Sequence, residues 1–404
     1  MRILYLADIR FPLERANGVQ TMETCHALAR RGHHVSLVVR PDTRSPARDP
    51  LVYYGLPATP TLHIERAPVS GPAFARRIGY LAFALGRALG ATRNDVIMTR
   101  DLGVASLLAR LPRTRRAPLV YESHGYAPDV AAALPELVDT ATRPSPAKLR
   151  RLADREARVW TRADGYITIT AALGEEMRRR HGARGQCAVI HDGVRVAPGA
   201  RFNAEHRSLV PRGGASYTPI VAYAGHLYPW KGVDVLLEAL ARVPNAEGLV
   251  VGGHAEESDL DRLKALAERL GISRRVEFAG IVEPSRVPAF LQRADILALP
   301  NPASAISTRF TSPLKLFEYM SAGRAIVASD LPSIREVLHH EIDALLVAPG
   351  DPQAFAAAIE RLVAQPGLSA RLARAAFDAA LDYSWERRAQ RLEQLFTEVV
   401  ASRQ

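Results

Sequence analysis

Short apolar runs alternate with helical patterns along the whole chain. In the first half the runs ILYLAD (3–8), HVSLVVR (34–40), DVIMTR (95–100), APLVYES (117–123), GYITIT (165–170) and CAVIHDG (187–193) read as strands. In the second half the corresponding runs are IVAYAG (220–225), AEGLVVGG (246–253), RVEFAG (275–280), ILALP (296–300), AIVASD (325–330) and DALLVAP (343–349). The helical patterns between them, such as TMETCHALARRG and VDVLLEALARV, carry apolar residues on one face. Buried strands alternating with such helices predict an α/β chain of two parallel, doubly wound sheets, one per half. The boundary falls where PGARF and PRGGASYTP supply Pro, Gly and Ser without periodicity, between Val196 and Pro219. The expected domains are 1–198 and 199–384, with the last helix, 385–404, packing back on the first.

At 404 residues the chain has length for two cores. The net charge is +11, and residues 1–200 carry about 30 basic against 18 acidic side chains, so the excess lies in the first half. That half either presents a solvated basic surface or faces something acidic: anionic lipid headgroups, a pyrophosphate-linked acceptor or, last, nucleic acid, which is not expected. Two cysteines, Cys25 and Cys187, are too few for a disulfide framework or metal cluster and read as core residues of a cytoplasmic protein. No secretory h-region follows Met1-Arg2, and no apolar run is long enough to span a bilayer. The segment Ile78 to Gly90, IGYLAFALGRALG, reads first as a core helix; the alternative is a helix lying on a membrane surface.

Candidate chemistry gathers at three turns. In TSPLKLFEYMSAG, Ser312 is placed to cap a helix whose first residue is Pro313, leaving free amides that attract anions, with Leu314 and Lys315 in the first turn. Glu318 lies one turn on, where a carboxylate can accept two hydrogen bonds from a ribose diol. The competing reading is a plain amphipathic helix with Lys315 and Glu318 in solvent. Upstream, VAYAG leads through His226 to Lys231 and Gly232 at another helix start. Lysine occurs only at 148, 231, 264 and 315, so two of four stand in anion-competent turns, where a compact ammonium suits a diphosphate. In the first half, Asn17-Gly18 makes a turn before the helix, letting backbone approach a ligand or simply turning the chain. The G-x-G-x-x-G spacing of a dinucleotide site is absent there, and Gly252-Gly253 lacks the third glycine. His124 follows the strand LVYES, at the sheet edge where ligands of such folds bind. Asp259-Leu260-Asp261 is a literal Asp-x-Asp, but it opens a helix where residues two apart do not face each other, so no metal is expected.

Six motifs in order, NGVQTMETCHALARRGHHVSLVV, YESHG, VIHDGV, AGHLYPWKGVD, RVEFAGIV and SPLKLFEYMSAGRAIVASD, give the chain a resemblance to the GT-B glycosyltransferases, specifically the large retaining group that includes many bacterial enzymes of glycolipid and cell-surface polysaccharide pathways. The resemblance implies two facing Rossmann-like domains with a cleft between them, the nucleotide-sugar donor held mainly by the second and a lipid-linked or polysaccharide acceptor by the first. It implies that Lys231 and the turn Ser312 to Lys315 hold the diphosphate, Glu318 the ribose, and the backbone at Ile281 and Val282 the base. Gly18 would lie near the donor phosphate and His124 near the transferred sugar, making His124, Lys231 and Glu318 the catalytic set, with no cofactor or metal. A peripheral position on the inner face of the plasma membrane is consistent with such an acceptor. Two positions depart from the group's pattern. Phe310 stands where a glutamate is usual, and His226 where an arginine is common; Arg309 is a candidate substitute. These departures keep a non-catalytic partner subunit as the alternative. An epimerase of the same fold lacks a set of acid and base carboxylates.

Overall fold

The structure, a computed structural model, describes residues 1–137, 142–196, 199, 201–202, 217–253, 258–304 and 314–403. Met1–Pro135, Ala141–Gly193 and Trp385–Gln404 form one compact unit, and Val194–Ser384, with the short segment Glu136–Thr140, forms the other. The division therefore falls at Gly193/Val194, a few residues before the sequence boundary at 198/199.

The first unit holds a seven-stranded sheet of β1 (Arg2–Arg10), β2 (His34–Arg40), β3 (Leu62–Arg66), β4 (Asp95–Thr99), β5 (Leu119–Ser123), β6 (Gly165–Thr168) and β7 (Cys187–Val189), in the order β3-β2-β1-β4-β5-β6-β7. Every pairing is parallel. The second unit holds β8 (Ile220–Ala224), β9 (Glu247–Val251), β10 (Val276–Gly280), β11 (Ile296–Leu299), β12 (Ala325–Ser329) and β13 (Leu345–Val347), in the order β10-β9-β8-β11-β12-β13, again all parallel. The order of successive strands reverses once in each sheet, between β1 and β4 and between β8 and β11, and at such switch points the carboxyl ends of neighbouring strands open onto a crevice.

All twelve expected strands are present. One more, β3, was not read from the sequence, because LHIER has no continuous apolar run and none of its residues is fully buried. It is an edge strand, held by pairing to β2 rather than by burial on both faces. The helix Ala73–Leu89 departs from the core reading. It buries only Tyr80, Ala84 and Ala88, while Phe74, Ile78 and Leu89 stand 76%, 50% and 53% exposed. Of the cysteines, Cys25 is fully buried and Cys187 half-buried on the edge strand β7.

The last helix, Trp385–Ala401, belongs to the first unit and lies along Ala16–Arg30, where Arg31 pairs with Glu386 and Glu393. Its Trp385 closes against Gly193, where a Cβ would come within 2.9 Å of the indole. Among the described residues, no helix is long and apolar enough to cross a membrane.

Candidate active site

In the second unit the chain leaves β8 at Gly225, makes a 3-10 turn over Pro229–Lys231, and enters the helix Val233–Arg242 through Gly232. Gly232 has φ +75°, and a Cβ there would stand 1.8 Å from the Pro300 carbonyl oxygen at the end of β11, so only glycine lets the loop close over the switch point. Asn301 fastens the same loop, donating from Nδ2 to the Trp230 carbonyl at 3.3 Å. The N-cap residue Gly232 offers no side chain to the amides of that helix start, which leaves donors of the kind that bind anions.

Lys231 and Lys315 meet here. Lys315, on the helix Leu314–Ser321, is only 9% exposed, and its Nζ has no hydrogen-bond partner among the described residues. The ammonium rests 3.8 Å from the centroid of the Tyr223 ring. It occupies room left by Gly225, where φ is +141° and a Cβ would lie 2.8 Å from Nζ. Burial pulls the Lys315 pKa well below the usual lysine value, repulsion from Lys231 adds to this, and Glu318 opposes it. Burial likewise lowers Lys231, to about 8. Burial raises the Glu318 carboxyl, against Lys315 and Arg195, which lower it. The solvated reading of this helix is thus overturned: Leu316, Phe317, Tyr319 and Met320 fill the core, Lys315 is turned away from water, and Glu318 is half-buried. Two desolvated cations repelling each other are costly. A dianion set between them would relieve both.

His226 does not present a guanidinium's fork. Its ring stacks on Tyr228 at 5.1 Å, and Tyr228 on Trp230 at 4.4 Å, a column of half-buried rings along the loop. Ile281 and Val282 follow β10, two strands from β8; Ile281 is 47% exposed and Val282 packs on the core. Leu314 begins the described helix, half-buried. Arg309, Phe310, Ser312 and Pro313 lie outside the described residues, and with them the expected cap. Asp259 opens its helix and pairs with Arg262 at 3.3 Å.

The first unit's switch point carries a different network. The helix after β1 already starts at Ala16, so Gly18 lies in its first turn and not in a preceding loop. A Cβ at Gly18 would meet the Leu13 carbonyl at 2.3 Å and the Tyr54 hydroxyl at 2.4 Å, which is the local reason for glycine. His124 sits just beyond β5, and its Nε2 lies 2.6 Å from Glu122 Oε1. Burial tends to raise the Glu122 carboxyl, but Arg388, His124 and Arg100 outweigh this and hold it well below the carboxylate range. An ionised carboxylate only accepts, so Nε2 carries the hydrogen and Nδ1 keeps its lone pair. Burial and Arg100 lower the His124 pKa against the pull of Glu122, so the ring is neutral.

Sequence reasoning missed the residues that hold His124. Gln20 donates to Glu122 at 2.5 Å and accepts from Arg100 at 2.7 Å. Arg388, from the last helix, pairs with Glu122 and donates to the carbonyls of Ile190 and His191 at 3.0 and 2.7 Å. Asp192, inside VIHDGV, is 5% exposed with Oδ1 unpartnered, and burial raises its pKa. A signal existed only for Asp192, a polar residue directly after a strand; Arg388 lies 266 positions from its partner.

Two like-wound units, with a cation-bearing turn at one switch point and a polar histidine at the other, define a GT-B glycosyltransferase. A profile of "Glycosyl transferases group 1" matches residues 218–365 and one of "Glycosyl transferase 4-like domain" matches residues 17–193. The chain belongs to this group 1, family 4-like glycosyltransferase family.

Among similar proteins, the D-inositol 3-phosphate glycosyltransferase of Xylanimonas cellulosilytica is 27% identical over 402 residues, covering 95% of this chain and 92% of its own. That of Corynebacterium glutamicum is 25% identical, covering 100% and 98%. In fold, the sucrose-phosphate synthase of Thermosynechococcus elongatus superposes with a TM-score of 0.78 at 21% identity over the full length of both chains. Anabaena Alr3699/HepE in complex with UDP-glucose superposes at 0.68 and 19% identity, covering 98% and 100%.

Proposed function

We propose that this glycosyltransferase moves a sugar, with retention of anomeric configuration, from a nucleotide-diphosphate sugar to a lipid-linked or cell-surface polysaccharide acceptor. The observation that carries the donor half is the unpartnered Lys315 ammonium beside Lys231. A diphosphate is the common chemical group that answers one buried and one half-buried lysine next to a helix start without a side-chain cap. Lys231, Lys315 and the turn Ser312 to Leu314 hold that diphosphate, Glu318 takes the ribose hydroxyls, and the backbone at Ile281 and Val282 takes the base. Arg309 supplies charge where His226 does not. Gly18 lies near the donor phosphate, and His124 accepts a hydrogen bond at Nδ1 from the transferred sugar.

In the reaction the bond from the anomeric carbon to the phosphate oxygen breaks and a bond from that carbon to the acceptor oxygen forms on the same face. The acceptor proton passes to the departing diphosphate, whose growing charge the two ammoniums stabilise. Because lysines meet that charge, transfer is metal-independent in this reading, and undiminished turnover in EDTA is the expected result. The enzyme acts in the cytoplasm, at the membrane's inner face where such acceptors are made.

A second reading of the acceptor has its own support: the curated relatives act, by their names, on D-inositol 3-phosphate. A phosphorylated polyol is then the acceptor, and no membrane is needed. The test is a thermal-shift screen of UDP, GDP, ADP and CDP and their sugars, followed by product analysis with inositol 3-phosphate and with a lipid-extract acceptor. A selective shift lost in Lys231→Ala and Glu318→Ala is expected. Absence of any shift would favour a non-catalytic subunit, and release of an epimerised nucleotide sugar would refute transfer.

A further inference from the structure

We propose that Glu156 is a positioning residue for His124, tethering from behind the turn that carries the histidine, and that its ionisation loosens that turn. This inference rests on the reading in which His124 meets the transferred sugar. The chain leaves β5 at Ser123, passes through His124-Gly125-Tyr126 and at once enters the helix Ala127–Leu137. Inside the turn the buried Ser123 hydroxyl donates to the Gly125 carbonyl at 3.3 Å, and the Val130 amide bonds back to the Tyr126 carbonyl at 3.0 Å. Glu156 reaches this helix start from the helix Pro146–Arg162. Fully buried, it accepts at Oε1 from the Ala127 amide at 3.1 Å and at Oε2 from the Tyr166 hydroxyl on β6 at 3.4 Å. Ala127 is in the first turn, where amides have no partner within the helix, so Glu156 does from 29 positions away what a capping side chain does locally. His124 is thus held on two sides: by Glu122 at Nε2, and by Glu156 through Gly125 and Tyr126.

The two carboxylates differ in company. Glu122 faces Arg388, His124 and Arg100. Around Glu156 stand the Ala127 amide and the phenols of Tyr121 on β5 and Tyr166 on β6, with no ion pair among the described residues. The charged groups of the neighbouring segments are engaged elsewhere. Arg180 stacks on the Tyr126 ring at 4.1 Å and pairs with Asp129 at 2.8 Å, and Glu176 pairs with Arg179 and Arg180. Arg184 lies over the rings of Trp160 and Tyr166 at 5.3 and 5.4 Å, Arg158 donates to the Ser106 hydroxyl at 2.9 Å, and His181 packs against Tyr126 and Trp160. Burial without a cation raises the Glu156 carboxyl to about 7. Below that pH the neutral carboxyl keeps the Ala127 bond through its carbonyl oxygen. Above it a buried charge faces only an amide and phenols, and swinging the helix start outward lets water solvate it. The folded value lies above the unfolded 4.5, so the tether is whole below 4.5 and is lost as pH rises through about 7. Lys231 weakens donor binding only through about 8, so the two groups act at different pH and on different steps.

The test follows wild type, Glu156→Gln and Glu156→Leu between about pH 5.5 and 9. One readout is the imidazole resonance of His124, assigned by its absence in His124→Asn. The other is kcat and KM for hydrolysis of whichever UDP-, GDP-, ADP- or CDP-sugar wild type turns over. In wild type the resonance is expected to shift and kcat to fall about tenfold as pH passes about 7, while KM holds until about 8. Glu156→Gln keeps the amide acceptor without a charge and should flatten both changes near 7. Glu156→Leu lacks the acceptor and should lower kcat about ten- to a hundredfold at every pH with KM within about twofold, a split that general loss of fold would not give. A His124 resonance indifferent to both variants overturns the proposal, and so does a Glu156→Gln profile that falls like wild type; should Glu156→Leu not fold, the Glu156→Gln profile decides alone. His124→Asn tests the underlying reading. Turnover at the wild-type rate removes the histidine's role and the proposal with it, whereas a slow His124→Asn beside a Glu156→Leu as fast as wild type overturns the positioning alone and leaves the transferase reading intact.

Discussion

Replacing Lys315 by methionine separates a ligand-binding lysine from a structural one. The ammonium is nearly buried, lacks a hydrogen bond, and is repelled by Lys231. Methionine of similar length removes that desolvated charge and gives up the cation–π contact with Tyr223, about 1–2 kcal/mol at such a site. The two effects oppose each other, so the stability of the nucleotide-free protein should change by no more than about 1 kcal/mol. Diphosphate binding has no such compensation. Losing one charge-assisted hydrogen bond costs about 1.5–3 kcal/mol, or roughly a 10- to 150-fold rise in Kd. Calorimetric titration with the nucleoside diphosphate that wild type selects, beside urea unfolding of both proteins, reads the two quantities. A Kd within about twofold of wild type, or a large stability loss with unchanged Kd, would refute the cradle and make Lys315 a pillar of the core.

The same experiment has a pH arm. In the empty site Lys231 titrates at about 8, and Lys315 is also depressed, whereas a bound diphosphate favours both ammoniums. The complex therefore holds more protons than the free protein above that pH. Affinity must fall as pH rises through about 8, with proton uptake visible as a buffer-dependent binding enthalpy. For stability the sign is opposite: the folded Lys231 pKa lies below its unfolded value of 10.5. Its destabilising charge is fully present below about 8 and is relieved as pH climbs toward 10.5, so Lys231→Met should stabilise the free protein at neutral pH and lose that advantage in alkali.

Glu156 is buried with its pKa raised to about 7, burial outweighing the hydrogen bonds from the Ala127 amide and Tyr166. Its folded value exceeds the unfolded one, so its contribution to stability is whole below about 4.5 and is lost as pH rises through about 7; Glu156→Gln should gain about 1–3 kcal/mol over wild type at pH 8 and little at pH 5, read by urea unfolding. Arg388→Met takes the guanidinium away from the buried Glu122 carboxylate, leaving it the neutral donors Gln20 and His124, and should cost about 3–5 kcal/mol, while Arg388→Met/Glu122→Gln recovers much of it; equal losses in single and double variants would deny the coupling. Gly232→Ala drives a Cβ into the Pro300 carbonyl at φ +75° and should abolish nucleotide binding in the thermal-shift screen while the first unit's Arg388–Glu122 network stays intact.

Much of the architecture was legible before any coordinates. Continuous apolar runs such as LVVR and AIVAS belong to strands covered on both faces, and that property is local, so twelve strands and the two-sheet order of the chain could be read directly. The strand LHIER escaped because an edge strand is defined by its neighbour, not by its own apolarity. The candidate site divides in the same way. Lys231, Lys315 and Glu318 are visible because each stands at a helix start or one turn beyond it, a feature of adjacent residues.

What the chain by itself determined, then, is the set of elements and which turns bear charge, since hydrophobic periodicity and turn chemistry act over a few residues. Only the tertiary structure decided that Lys315 loses its water above Gly225, that Arg388 reaches Glu122 from the last helix, and that Ala73–Leu89 shows its apolar face to solvent. Burial and long-range charge pairing depend on which segments the fold brings together, and an amphipathic pattern does not say which of its faces finds a partner.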